Sequence, residues 1–114
     1  VAGFSFGAWI GMQLLMRRPE ITGFISVSPP ANMYDFSFLA PCPASGLMIN
    51  GLADRVAPPE DTVTLVNKLH EQKGITVTHQ EVEGASHFFE DPHMDPMIDS
   101  VQTYVQRRMT ENTR

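Results

Sequence analysis

The chain has 114 residues, a formal net charge of −5 and a hydrophobic content of 42%. That length fits one domain with enough apolar residues for a core, which excludes intrinsic disorder, and an acidic balance without a basic patch excludes a nucleic-acid binder. No apolar run approaches the roughly 18 residues of a membrane span, and a single cysteine, Cys42, excludes a disulfide framework or a thiolate metal cage, so a reducing cytoplasm is the expected setting.

The chain opens at Val1 without an initiator methionine or a signal-peptide pattern. Val1 to Phe4 reads as the end of a strand, so residues 1–114 are expected to be the carboxyl-terminal portion of one longer domain. Phe6 to Arg18 is expected to be helical: Ala8, Met12 and Leu15 recur on one face with Ile10 and Leu14 beside them, Arg17 and Arg18 suit the negative end of the dipole, and Pro19 stops the helix. Ile21 to Val27 is an apolar strand closed by Ser28-Pro29-Pro30. An irregular stretch, Ala31 to Ser45, leads to a second apolar run from Gly46 to Asn50.

A polar loop, Leu52 to Pro58, precedes a helix from Pro59 to Gln72. Proline stands at its first position, Glu60 and Asp61 in its first turn, Val63, Val66 and Leu69 on one face, and Gly74 behind it. Ile75 to Val82 alternates like an edge strand with one wet face, which leaves His79 solvated. A loop from Glu83 to Asp91 leads to a last helix, Asp95 to Met109, with Met97, Val101, Tyr104 and Val105 as its face; Thr110 to Arg114 is expected to fray. The order of elements is that of an α/β fold, a parallel sheet covered by helices.

Three segments carry chemistry. Gly3-Phe4-Ser5-Phe6-Gly7 is a G-x-S-x-G set at a strand-to-helix junction. Gly and Ser can simply mark a turn, but between an apolar strand end and an apolar helix the set suits a strained turn that raises a serine hydroxyl above the sheet. Small residues two before and two after the serine are expected to prevent collision across that turn, and the helix start favours a developing anion. A serine needs a base, and the base an acid that orients it. Asp54 lies just after the Gly46–Asn50 strand and His87 just after the Ile75–Val82 strand, in the order serine, acid, histidine, all at strand carboxyl ends.

These segments resemble the α/β-hydrolases. GFSFG resembles their nucleophile elbow, INGLADRVAPPED their acid loop and EGASHFF their histidine loop. The chain is similar, more narrowly, to the small bacterial alpha/beta superfamily hydrolases related to dienelactone hydrolases and to Xaa-Pro dipeptidyl-peptidase-like proteins, a likeness that YDFSFLAPCPASGLMING strengthens. The resemblance implies strands five to eight of a three-layer αβα sandwich, with the amino-terminal half absent. It implies Ser5 as nucleophile, Asp54 as orienting acid, His87 as base and the Phe6 N–H as one oxyanion-hole donor, the other lying upstream. Where dienelactone hydrolases carry a cysteine nucleophile this chain has Ser5, which points away from dienelactones as substrate.

The expected activity is hydrolysis of a small ester-like substrate, a carboxylic ester or thioester, through an acyl-enzyme, with no cofactor and no metal. The partner expected is a small-molecule substrate, not nucleic acid or a membrane. Phe4, Phe6, Val56 and Phe88 are the candidate pocket residues. The 18 residues between Val27 and Gly46 are too few for a lid domain, which suits an open pocket. The alternatives are a serine peptidase of the dipeptidyl-peptidase-like type and a non-catalytic binding protein of the same fold. Cys42 reads as a packed small residue, Trp9 as packing, and His93 as a poor metal ligand because its spacing to other donors matches no defined site.

Residues 1–114 alone are expected neither to fold stably nor to catalyse. A buried Leu or Ile contributes about 1.5–3 kcal/mol against a total stability of about 5–15 kcal/mol, so loss of several contacts to an upstream half unfolds the piece. Thermal unfolding and ester hydrolysis of the isolated chain test this. A sharp transition in a soluble monomer with Ser5-dependent turnover would contradict it.

Overall fold

The computed structural model describes residues 1–112. The elements are β1 (Ala2–Phe4), α1 (Phe6–Arg17), β2 (Phe24–Val27), a short 3₁₀ turn (Ser37–Leu39), β3 (Gly46–Gly51), α2 (Pro59–His70), β4 (Val77–Val82) and α3 (Met94–Asn112). The strands form one parallel sheet in the order β1-β2-β3-β4, so the expected α/β architecture is what the chain adopts. The register aligns Phe4 with Val27, Val27 with Ile49 and Ile49 with Gln80. Each strand therefore delivers its carboxyl end to one rim.

Alternation along the strands builds two cores. Phe24, Met48 and Val77 join Met12 and Leu15 of α1 and Leu65, Val66 and Leu69 of α2 on one face. Val27, Leu47 and Ile49 join Tyr104 of α3, with Ala85 and Phe89 of the β4–α3 loop, on the other. Every residue of β3 is buried, as a central strand covered on both faces requires, whereas β4 exposes Gln80 and Glu81 at the edge. At the amino-terminal end of the strands Arg108 of α3 acts as a clamp: its guanidinium donates to the carbonyls of Ser45 and Thr22 and to the Tyr104 hydroxyl. Among the described residues no helix is long and apolar enough to cross a membrane.

Several expectations shift. β2 begins at Phe24 rather than Ile21, and β4 at Val77 rather than Ile75, because pairing with Gly46 starts there and residues before it have no ladder partner. α2 ends at His70 and buries Thr62 and Leu65 along with Val66 and Leu69, while Val63 is only half-buried; the apolar pattern pointed a little to one side of the true face. α3 spans Met94–Asn112 rather than Asp95–Met109; residues 113 and 114 of the tail lie outside the described residues. In α1, Ile10 and Leu14 are exposed beside the buried Ala8, Met12 and Leu15, and in α3 Val105 is exposed beside the buried Tyr104.

His79 is not solvated. It is half-buried, and its Nε2 bonds the Oδ1 of the fully buried Asn50. Burial pushes its imidazole below the ordinary value of 6.5, with Glu81 opposing and His70 adding to the effect. Cys42 is buried, as packing predicted, and burial pushes its thiol up.

Gly46 makes room for Phe24. A Cβ at position 46 would lie 2.4 Å from three carbons of the Phe24 ring, which is itself buried. Gly46→Ala is expected to cost about 1–3 kcal/mol through overpacking. Denaturant titration checks it, and an unchanged midpoint would show that Phe24 can move aside freely.

Candidate active site

Ser5 is the N-cap of α1 and holds φ 54° and ψ −119°, a conformation that non-glycine residues rarely adopt. It makes no side-chain capping bond, so its hydroxyl is available, and its backbone N–H extends the ladder by donating to the Val27 carbonyl at 2.8 Å. The turn is tight enough that a Cβ on Gly3 would stand 2.2 Å from the Gly7 carbonyl oxygen. Among the described residues a Cβ on Gly7 meets nothing within 4 Å. Of the two small residues expected to be required by the turn, Gly3 is the one that the described residues require sterically.

Ser5, His87 and Asp54 come together. Ser5 Oγ lies 2.8 Å from His87 Nε2, and His87 Nδ1 lies 2.8 Å from Asp54 Oδ2. A carboxylate can only accept, so Nδ1 donates the proton to Asp54, and Nε2 is left to accept from the serine. Asp54 Oδ1 takes the backbone N–H groups of Val56 and Ala57 at 2.8 and 2.7 Å, which fixes the carboxylate plane from within its own loop. Both Asp54 and His87 are buried, at 5% and 3% exposure, so their hydrogen bonds are made away from competing water.

The acid and histidine loops are zipped along their backbones. Leu52 N–H donates to the Val82 carbonyl and Ala53 N–H to the Ala85 carbonyl, both at 3.0 Å. Gly51 permits this approach: a Cβ there would stand 2.2 Å from the Ala85 oxygen.

The first turn of α1 directs the carbonyl of Ser5 to the N–H groups of Ala8 and Trp9. The Phe6 N–H, the first of the helix, has no acceptor among the described residues and stands beside the Ser5 hydroxyl's own backbone. The four candidate pocket residues, Phe4, Phe6, Val56 and Phe88, are all exposed. Phe4 and Phe88 flank the His87 ring at centroid distances of 5.5 and 5.0 Å. Phe6 joins a second aromatic group with Trp9 and Tyr34, which stack at 4.9 Å. Tyr34 opens the YDFSFLAPCPASGLMING segment but is not among the candidate pocket residues; Trp9, expected to pack, packs partly against the core and partly on this ring. Among the described residues no three His, Cys, Asp or Glu side chains form a group able to hold a metal ion.

The geometry separates the two elbow glycines. Gly3→Ala must force the turn open against main-chain atoms, and displacement of a nucleophile by about 1 Å costs on the order of 10² in rate. Gly7→Ala should retain kcat/KM within a few-fold. Comparing the two variants on one ester checks the steric account, and equal damage from both would overturn it.

No family model matches the chain. An uncharacterized protein of Rickettsia prowazekii is 50% identical over 93 residues, covering 78% of this chain and 39% of that protein. A crystal structure of a protein of unknown function from Agrobacterium tumefaciens, provisionally assigned to the alpha/beta hydrolases, is 59% identical and superposes with a TM-score of 0.95 over 97% of this chain and 50% of its own. A serine hydrolase without a lid from Xanthomonas campestris is 32% identical with a TM-score of 0.78, over 93% of this chain and 45% of its own. An alpha-beta serine hydrolase homologue from Coxiella burnetii is 34% identical with a TM-score of 0.67, over 77% of this chain and 40% of its own. The chain has the alpha/beta hydrolase fold and is similar in sequence to these proteins, spanning about half the length of the solved structures it matches.

Proposed function

We propose that this chain carries the catalytic triad of a serine hydrolase that cleaves a small carboxylic ester or thioester. The observation that carries the reading is the unbroken run from Ser5 Oγ to His87 to Asp54, with both links at 2.8 Å. Ser5 attacks the carbonyl carbon while His87 Nε2 takes the hydroxyl proton. Asp54 holds the tautomer and steadies the imidazolium that forms. The oxyanion of the tetrahedral intermediate lies against the Phe6 N–H at the positive end of α1. Collapse expels the alcohol or thiol, which leaves with the proton from His87. Water, deprotonated by His87 in turn, attacks the acyl-Ser5 ester and releases the acid. The reaction needs no cofactor or metal.

Two observations favour a small, soluble substrate. Phe4, Phe6, Val56 and Phe88 are exposed around the nucleophile, and the 18 residues from Ser28 to Ser45 that join β2 to β3 contain only the short Ser37–Leu39 turn. A relative described as lacking a lid, that from Xanthomonas campestris, supports the same reading.

In the full chain, Ser5→Ala should abolish labelling by a fluorophosphonate probe. Asp54→Asn should lower kcat by about 10⁴, the loss seen for a triad aspartate in a serine protease, and His87→Ala should do at least as much. His93→Ala should leave turnover nearly unchanged. Labelling that survives Ser5→Ala, or a larger loss at His93 than at His87, would overturn the assignment, and an unlabelled wild-type protein would favour a binding role.

A further inference from the structure

Ser28, the residue after β2, stands in none of the three motif segments, yet its surroundings are unusual. It is fully buried and holds φ +52°, in the left-handed region that favours glycine. Its N–H donates to the Ile49 carbonyl at 2.7 Å, continuing the β2–β3 ladder past the end of the strand. Its Oγ donates to the backbone carbonyl of His87 at 2.8 Å, with both groups out of water. Among the described residues this is the hydrogen bond that satisfies the His87 carbonyl. The residue before it, Val27, accepts the backbone N–H of Ser5 at 2.8 Å.

Two consecutive residues therefore hold the main chains of two reacting groups. Val27 fixes the height of Ser5 above the sheet, and Ser28 fixes the height of His87. The histidine loop has its own left-handed residue, Phe89 at φ +50°, so its backbone does not rest in a relaxed conformation unaided. A glycine at position 28 would satisfy the backbone without strain and would supply no donor. A serine there accepts an unfavourable conformation and contributes one thing a glycine cannot, the hydroxyl on His87.

We infer that Ser28 is a positioning residue, whose hydroxyl ties the histidine loop to the end of β2 and so sets the distance from His87 Nε2 to Ser5 Oγ. The inference rests on the reading of Ser5 and His87 as nucleophile and base. Removing the tie leaves the His87 carbonyl buried without a partner, and the loop must shift toward another donor or toward water. The imidazole moves with it, while the exposed residues around Ser5 stay in place. The loss falls on the chemical step rather than on binding.

The test uses the full chain, with Ser28→Ala and Ser28→Gly compared against wild type. p-Nitrophenyl acetate hydrolysis, the rate of fluorophosphonate labelling of Ser5 and the thermal midpoint are measured for each. Both variants should lose about 10- to 100-fold in kcat and in labelling rate, with KM within about two-fold, since small displacements of reacting groups have effects of this size. Ser28→Gly should melt no lower than Ser28→Ala, because glycine relieves the left-handed backbone. A Ser28→Gly protein with wild-type kcat would overturn the inference. So would one without a folding transition, which would make Ser28 a folding residue. If wild-type protein is not labelled at Ser5, the hydrolase reading fails and this inference with it; if wild type is labelled and both variants match it, the positioning role alone fails.

Discussion

In a parallel sheet every strand ends on the same rim, and the site depends on that constraint more than on any one side chain. Phe4, Val27 and Ile49 stand in one row across β1, β2 and β3, while β3 and β4 run on together to Gly51 and Val82. This stagger puts Ser5 at the low end of the rim and the acid and histidine loops slightly higher, so that His87 can reach down to the serine from one side and across to Asp54 on the other. Residues 82 positions apart in sequence thereby meet at hydrogen-bond distance.

That convergence is achieved through backbone conformations that cost free energy. The non-glycine residues with positive φ among the described residues are Ser5, Ser28 and Phe89, and each follows a strand end or sits in the loop that delivers His87. The two cores oppose the strain. Met48 and Ile49 are wholly buried on opposite faces of β3, and Phe89 and Ala85 anchor the histidine loop in the core beneath α3. Strain of this kind persists only where surrounding packing over-determines the geometry, and here the packing lies beneath the loops that carry Ser5 and His87.

Much of this was readable beforehand, and unevenly. The elbow is legible because Gly3, Ser5 and the apolar helix after them satisfy a local steric rule that one short segment contains. Asp54 and His87 are legible by their position after apolar runs. The start of β2 is not, because Ile21 and Phe24 are equally apolar and only pairing with Gly46 decides which of them belongs to the ladder. The environment of His79 is hidden for a related reason: alternation along one strand says nothing of the buried Asn50 on its neighbour. Gly7 misled in the opposite sense, since a symmetric motif suggested a symmetric steric need that the geometry does not impose. Ser28 left no signal beyond its place between a strand and two prolines, because its contribution is a long-range bond to a main-chain atom.

The Arg108 clamp has a consequence for how such a protein can change. It gathers Thr22, Ser45 and Tyr104 at the end of the sheet farthest from Ser5, and does so with a planar cation that binds carbonyls in several directions at once. One end of the sheet is riveted and the other carries open loops. Insertions and exchanges in those loops can accumulate without loosening the rivet, so variation at the loop end and retention of the fold draw on separate groups of residues.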